Sequence, residues 1–598
     1  MRELKQSHKW LDWLIALVLA LASAAVVFWQ NSRLAVLWDL SYILENSYRI
    51  SLGDIPYRDF PFPYAPLTFL MQAVLMKLTG RVFFHHVIYC AVVGGLSTLI
   101  TWRILLKILR RVPHARLLAL VLTAPLAPLG IYAIFPHPFY DPDCTIAILA
   151  CLFLLLRWDE KPSSMLGFIT GAALVVPVFV KQNTGLAFVL SVIASLALSL
   201  TIDVWRRGEV RKYLPVFAGL TIGSTGALSV LHFTGGLGNY IRWTVKFAGE
   251  RRTPAFGEMI GIYRDPLLKW WLALFLVGTL ALWIRRGGRW MLALSATVMA
   301  IPFLWSVIYL LKDIDSSERA ERLVGLWPML LIVSLLLTLA SVRRRSGIAL
   351  VLPLVVIGTA HGAFLSQQLW GSTYALWPLF MILAAYVIGT MSELRTNQLT
   401  EAQETVPAPD ERLWSIMFVF LISVSLLISG SFYLRSHERL DYANLDDGEL
   451  THSRLPALKG LTMRGSWIGD FEELVDYSEK TIPREDAILC LPGEDLFYYT
   501  TGRRPRFPVL MFDHTVNPYS PQEIVDLARA RNVQWLIVKD DLQLEEEPLE
   551  KKDELMALLL KEFESVESLN NYEIYKRKSA DTNDDSDSDD SDDDPTKP

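Results

Sequence analysis

Long apolar runs recur through the first 434 residues, at positions 11–30, 86–106, 117–135, 144–156, 165–180, 185–202, 214–231, 267–284, 290–311, 323–340, 348–364, 374–388 and 413–434. Polar or basic stretches separate them, and their lengths suit helices crossing about 30 Å of hydrocarbon, several near the short limit. The pattern predicts a polytopic α-helical membrane protein with about 13 transmembrane helices. One further run, 67–78, carries Lys77 and is too short to span. If it crossed, the basic clusters at 103–116, 206–212, 285–289 and 343–345 would all lie outside, against the positive-inside rule. If it stays on the outer surface or re-enters, all four lie in the cytoplasm, and that is the expected arrangement.

This choice puts the 38–80 region, the loop PHPFYDPD, the loop after Val180, the 232–266 loop and everything after Arg435 on one outer side. Beyond 434 the pattern changes. AILCLPG and VQWLIVKD read as short buried strands, PQEIVDLARARN as the helix between them and NYEIYKR as a late strand, which predicts a small C-terminal α/β domain over 435–578. Gly493 after the first strand has no G-x-G-x-x-G or Walker context and reads as a turn. Residues 579–598, with DTNDDSDSDDSDDD, are too polar and self-repelling to fold and form a disordered acidic tail. The expected domains are thus 1–434, transmembrane, 435–578, outer, and the tail 579–598.

Composition changes this picture little. The chain is 52% apolar, and its net charge of −5 rests on the tail, leaving a mildly basic remainder. Of four cysteines only Cys490 falls in the long soluble segment, so no disulfide framework is implied. The N-terminal MRELKQSHKW precedes an apolar run with no small-residue cleavage signal and reads as a retained anchor. The chain is expected to be a multi-pass protein of a bacterial inner membrane, with membrane lipids around it and no nucleic-acid partner.

The candidate chemistry gathers in the outer loops. Residues 38–67 hold four carboxylates, two arginines, four prolines and several tyrosines, Tyr64 among them. Asp39 and Glu45 next to lipid, then Asp54, Arg58 and Asp59 in a Pro-rich turn, are costly at a bilayer surface unless they have partners or chemistry to perform. Desolvation at the mouth of the first span would raise Asp39 toward general-base range, and a helix-capping aspartate is the plainer alternative. His137, Tyr140, Asp141 and Asp143 cluster in HPFYDPD, where at least one aspartate also suits a helix start. Lys181, Gln182 and Asn183 interrupt an apolar hairpin before Gly185, which favours ligand contact over snorkelling of the lysine alone. Arg242, Lys246, Arg251, Arg252 and Arg264 in one loop and Lys312, Arg319 and Arg322 in another stay on the translocated side, so an anionic ligand is weighed equally against pairing to Glu250, Asp265, Asp315 and Glu318. Asp141-Pro142-Asp143 matches D-x-D by letter only. No spacing resembles a zinc site, no cofactor is expected, and a divalent metal is left open.

An early acidic residue, then GDIPYRDFPFPYAPL, a second outer loop with an aspartate, and the VKQNTG hairpin together resemble the GT-C superfamily of membrane glycosyltransferases. Within it the chain is most similar to bacterial family 39-like enzymes, related to protein O-mannosyltransferases and the lipid A aminoarabinose transferase. The resemblance is best over residues 10–200. It implies a GT-C-like fold, with Asp39 as the base or acceptor-binding group and Asp141 or Asp143 as the second-loop aspartate. Many relatives carry Asp-Glu at the first position. Here Leu40 follows Asp39, which brings Glu45 forward as a candidate second carboxylate.

The expected activity is transfer of a sugar, with inversion, from a polyprenyl-phosphate donor to a lipid, glycan or protein acceptor on the outer face. Asp39, Asp141 and Asp143 are the candidate catalytic residues. Glu45, Arg58, Asp59, Tyr64, His137, Lys181, Gln182 and Arg242 are the candidate substrate-binding residues. The rival class is a transporter or flippase of a lipid-linked or anionic solute, against which the chain shows no clear internal repeat.

Overall fold

The structure, a computed structural model, describes residues 9–206, 210–284, 288–312, 319–343, 345, 347–365, 374–401, 411–445 and 448–579. Among these, eight helices are long and apolar enough to cross a membrane by length and composition. They include α1 (Lys9–Asn31), and their outward faces are apolar: Leu17, Leu21, Ile222, Val230, Leu294 and Leu336 are all exposed. Exposed aliphatic surface on this scale matches a lipid environment. The expected run 117–135 is not one helix. It breaks into Ala115–Thr123 and Leu126–Leu129 around Pro125 and then runs irregularly to Phe139, because a proline cannot donate to the helical ladder and clashes with the preceding turn. Small residues set the helix spacing elsewhere. A side chain at Gly171 would meet the Val216 carbonyl at 2.0 Å, and one at Gly219 the Phe168 carbonyl at 2.1 Å, so two backbones touch where only glycine fits.

After α1 the chain forms α2 (Leu37–Ser51), a Pro-rich turn, α3 (Leu67–Thr79) and α4 (Phe83–Ile108). With 13 residues, α3 extends about 20 Å and is too short to cross. It buries Thr68, Phe69, Gln72, Ala73 and Met76 and exposes Leu70, Met71, Val74 and Leu78. The 26-residue α4 carries its last turn to the opposite end of the helical body. There Lys107, Arg110, Arg111, Lys212 and Arg345 surround a cavity of about 390 Å³ with Glu160 and Glu393. Residues of three of the four basic clusters, 103–116, 206–212 and 343–345, thus share one end, and the carboxylate-rich loops lie at the other. Arg285 and Arg286, Asp315 and Glu318, and the tail from 580 lie outside the described residues.

The C-terminal part holds a hairpin, β1 (Leu450–His452) with β2 (Thr462–Arg464), and a four-stranded sheet in the order β3-β4-β6-β5. Strands β3 (Ala487–Leu491) and β4 (Val533–Lys539) are parallel, with Cys490 opposite Ile537, and the helix Pro521–Ala530 lies in their crossover. β5 (Phe563–Leu569) and β6 (Tyr572–Arg577) complete the sheet antiparallel. Gly493, at φ +95°, is a turn where a side chain would meet the Leu510 carbonyl at 1.9 Å, so only glycine fits. This sheet unit docks on one face of α2. Ser41 Oγ donates to the Gly493 carbonyl at 2.7 Å, Tyr48 to Gly502 at 2.8 Å, and Arg49 to Phe507 and Pro508 at 3.0 and 2.8 Å. The spacing 41, 45, 48, 49 is a single helical stripe.

Candidate active site

The N-terminal turn of α2 opens onto a cavity of about 610 Å³ where the helical body meets the sheet unit. Asp39 points into it. Tyr442, just past the last long helix (Glu411–Ser436), donates its hydroxyl to Asp39 Oδ2, and Arg439 lies beside both with its guanidinium 5.4 Å from the Tyr442 ring. Burial raises the Asp39 carboxyl above the ordinary aspartate range, while the Tyr442 hydrogen bond and the Arg439 charge pull it back and Asp141 adds to the rise. Tyr42, one turn after Asp39, lines the same wall.

A second cation, Arg252, lines the same cavity. Arg252 stacks on Tyr64 at 4.1 Å, within a cluster in which Tyr42 and Tyr64 meet edge to face at 4.4 Å and Tyr64 and Tyr140 stack at 5.8 Å. Among the described residues no carboxylate pairs with Arg252, and its Nη1 is buried without a hydrogen-bond partner. Asp141 also lines the cavity and is ion-paired with buried Lys181, which lies 5.4 Å from the Tyr140 ring. Adjacent arginines diverge here: Arg251 Nη1 donates to the His514 and Asn517 carbonyls at 2.9 and 3.1 Å, tying its loop to the sheet unit.

The other sequence candidates lie elsewhere. Asp143 is buried under three hydroxyls, Thr68 at 2.9 Å, Tyr89 at 2.8 Å and Tyr132 at 2.7 Å, and locks α3, α4 and the second loop together. Glu45 sits in the docking stripe of α2, accepting the Tyr499 amide at 3.1 Å, and burial raises its carboxyl to about 8. Arg58 is half-exposed and closed on its neighbour Asp59 at 2.8 Å, and Asp59 also accepts the Ile55 amide. Gln182 donates to the Pro63 carbonyl at 2.9 Å and holds the Tyr64 loop in place. Arg242 is exposed against Trp243. His137 is fully buried beneath α2; its Nε2 accepts the Val36 amide at 3.3 Å, and burial holds its imidazole near 3, so it is neutral.

Arg439, Tyr442 and Gln543 escaped the sequence reading, since no motif marks them. Tyr42 carried a signal, because i and i+3 share a helix face with Asp39. Among the described residues no group of three His, Cys, Asp or Glu side chains is placed to hold a metal ion.

No family model and no curated protein sequence matches the chain. Solved structures do. ArnT from Cupriavidus metallidurans bound to undecaprenyl phosphate superposes with a TM-score of 0.51 at 12% identity, over 96% of this chain and 99% of that one. The chain shares the fold of that structure over nearly its whole length. The oligosaccharyltransferase AglB from Archaeoglobus fulgidus, in complex with an inhibitory peptide and a dolichol-phosphate, gives a TM-score of 0.47 at 11% identity, over 89% of this chain and 69% of that one. The eight helices that are long and apolar enough to cross a membrane lie within the fold shared with ArnT. In it the cavity at the junction of helical body and C-terminal unit is built from α2, both early loops and the 232–266 loop.

Proposed function

We propose that the chain transfers a sugar from a polyprenyl-phosphate donor to an acceptor hydroxyl on the outer face of the membrane, with inversion at the sugar. One observation carries the reading: a single cavity holds a half-buried carboxylate, Asp39, and a half-buried guanidinium, Arg252, that has no carboxylate partner among the described residues. Asp39 takes the acceptor proton as the acceptor oxygen attacks the anomeric carbon. The bond from that carbon to the phosphate oxygen breaks on the opposite face, and polyprenyl phosphate leaves. Arg252, with Lys181 and Arg439 nearby, stabilises the phosphate. Asp141 holds Lys181 in place, and Asp143 supports the loop from behind. The fold shared with ArnT, whose structure was solved bound to undecaprenyl phosphate, supports a lipid-phosphate donor. The basic far end supports placing the cavity outside.

The test is incubation of the purified protein with a labelled polyprenyl-phosphate sugar and candidate lipid, glycan and protein acceptors. Release of free polyprenyl phosphate matched by label on an acceptor is expected. Movement of intact donor across a vesicle membrane, with no release, would replace the transferase by a flippase.

A further inference from the structure

The helix that carries Asp39 does not cap itself. Val36, its N-cap residue, is apolar, and no side chain of the helix bonds its first amides. Two distant residues do so instead. His137 takes the Val36 amide, and Gln543 Oε1 takes the Leu37 amide at 2.7 Å, while Gln543 Nε2 donates to the Ala35 carbonyl at 2.9 Å. Unsatisfied amides in a buried first turn are strongly unfavourable, so a bidentate amide from another segment fixes both the start and the direction of the helix.

Gln543 is itself held from several sides. It is buried, its amide donates to Glu494 at 3.1 Å, its carbonyl accepts the Asn444 amide at 2.6 Å, and Glu494 is ion-paired with Lys539 at the end of β4. The same stretch pairs with residues 442–444: Ala443 bridges Leu544, and the Glu545 amide donates to the Tyr442 carbonyl at 3.2 Å. One segment of the C-terminal unit therefore grips α2 two residues before Asp39 and also holds the backbone of Tyr442, whose hydroxyl bonds Asp39.

We propose that Gln543 is a positioning residue for Asp39, so that the C-terminal unit is part of the active site rather than a separate binding module. The proposal rests on the transferase reading above. Its action is through the direction of the Asp39 carboxylate, and a base displaced by even about 1 Å loses much of its rate advantage.

Gln543→Met keeps the volume and removes both hydrogen bonds. Turnover should fall at least tenfold with donor KM within twofold, and hydrogen exchange at the amides of residues 37–40 should quicken. In an Asp39→Asn background the same change should cost little more, because its target is already gone. Wild-type turnover in folded Gln543→Met, or a loss that persists in full beside Asp39→Asn, overturns the positioning role and leaves the transferase reading standing. Wild-type turnover in Asp39→Asn alone removes the base, and the positioning role falls with it. Should Gln543→Met not fold, exchange in the wild-type protein decides. Amides 37–40 and 543–545 should open together as denaturant is added, and independent opening overturns the coupling.

Discussion

Replacing Arg252 tests the phosphate site most directly. Its guanidinium lies against Tyr64 among three tyrosines, with Nη1 buried and unpartnered. A charge-assisted hydrogen bond to such a group is worth about 1.5–3 kcal/mol. At about 1.4 kcal/mol per decade, Arg252→Ala should weaken donor binding about 10- to 150-fold. Arg252→Lys keeps the charge but loses the planar fork and the ring stacking, so a loss of about tenfold is expected. Stability should hardly move. A desolvated cation–π contact of about 2 kcal/mol is lost, but so is a half-buried charge with no carboxylate partner among the described residues, and the two effects oppose each other.

The assay is binding of a polyprenyl-phosphate analogue to purified protein, alongside donor KM and a thermal melt. Arg58→Ala is the control: that side chain is paired with Asp59 outside the cavity, so donor affinity should be unchanged. Unchanged affinity in folded Arg252→Ala would refute the reasoning and shift the phosphate to Lys181 or Arg439.

Four further outcomes follow from named contacts. Asp39→Asn should lower turnover on the order of 10²- to 10⁴-fold at unchanged thermal stability. In the wild type the acidic limb of the rate profile should lie above the ordinary aspartate range, because activity needs the ionised carboxylate and burial raises its pKa. Asp143→Ala strips the shared acceptor from three buried hydroxyls and should destabilise the protein by about 3 kcal/mol, visible as a lower melting temperature. Glu45, held near 8 when folded, keeps a proton that the unfolded chain releases near its ordinary value of 4.5. Its contribution is therefore full below that value and is lost as pH rises through about 8. Melts across this window should fall by on the order of a few kcal/mol in the wild type and flatten in Glu45→Gln.

The sequence made part of this legible. Charge bias along the loops and the shortness of 67–78 placed the carboxylates at one end, since both depend on local composition. The strand runs AILCLPG and VQWLIVKD with the helix between them gave the parallel pair for the same reason. Partners were another matter. Glu45, Arg49 and Asp54 are conspicuous charges in the first loop, but they face residues about 450 positions later, and no local pattern reports such a contact. Asp141 and Asp143, two residues apart on a helix start, point to different sides, one to the cavity and the other to hydroxyls. Arg251 and Arg252 are indistinguishable by letter, yet one holds carbonyls of the C-terminal unit and the other lines the cavity. Strand β5 was missed because its exposed face reads FESVESL, with too little apolar alternation.

The docking stripe of α2 bears on how substrates reach the cavity. Lifting the C-terminal unit away would break Ser41, Glu45, Tyr48 and Arg49 contacts along one helix face together with the Gln543 cap and the Tyr442 bond. That would expose buried charges and disassemble the Asp39 turn in the same step, so a cycle built on such lifting would lose its base at each opening. Substrates are therefore expected to reach the cavity with the unit in place. Asp54 and Arg504 meet at 2.5 Å across this junction, near its exposed edge. A short bifunctional thiol reagent bridging cysteines at Asp54→Cys and Arg504→Cys should leave turnover within about twofold of the same double variant before bridging. A collapse of turnover on bridging, restored when a cleavable reagent is cut, would show that the unit must lift, and substrate access would then have to be assigned to that motion.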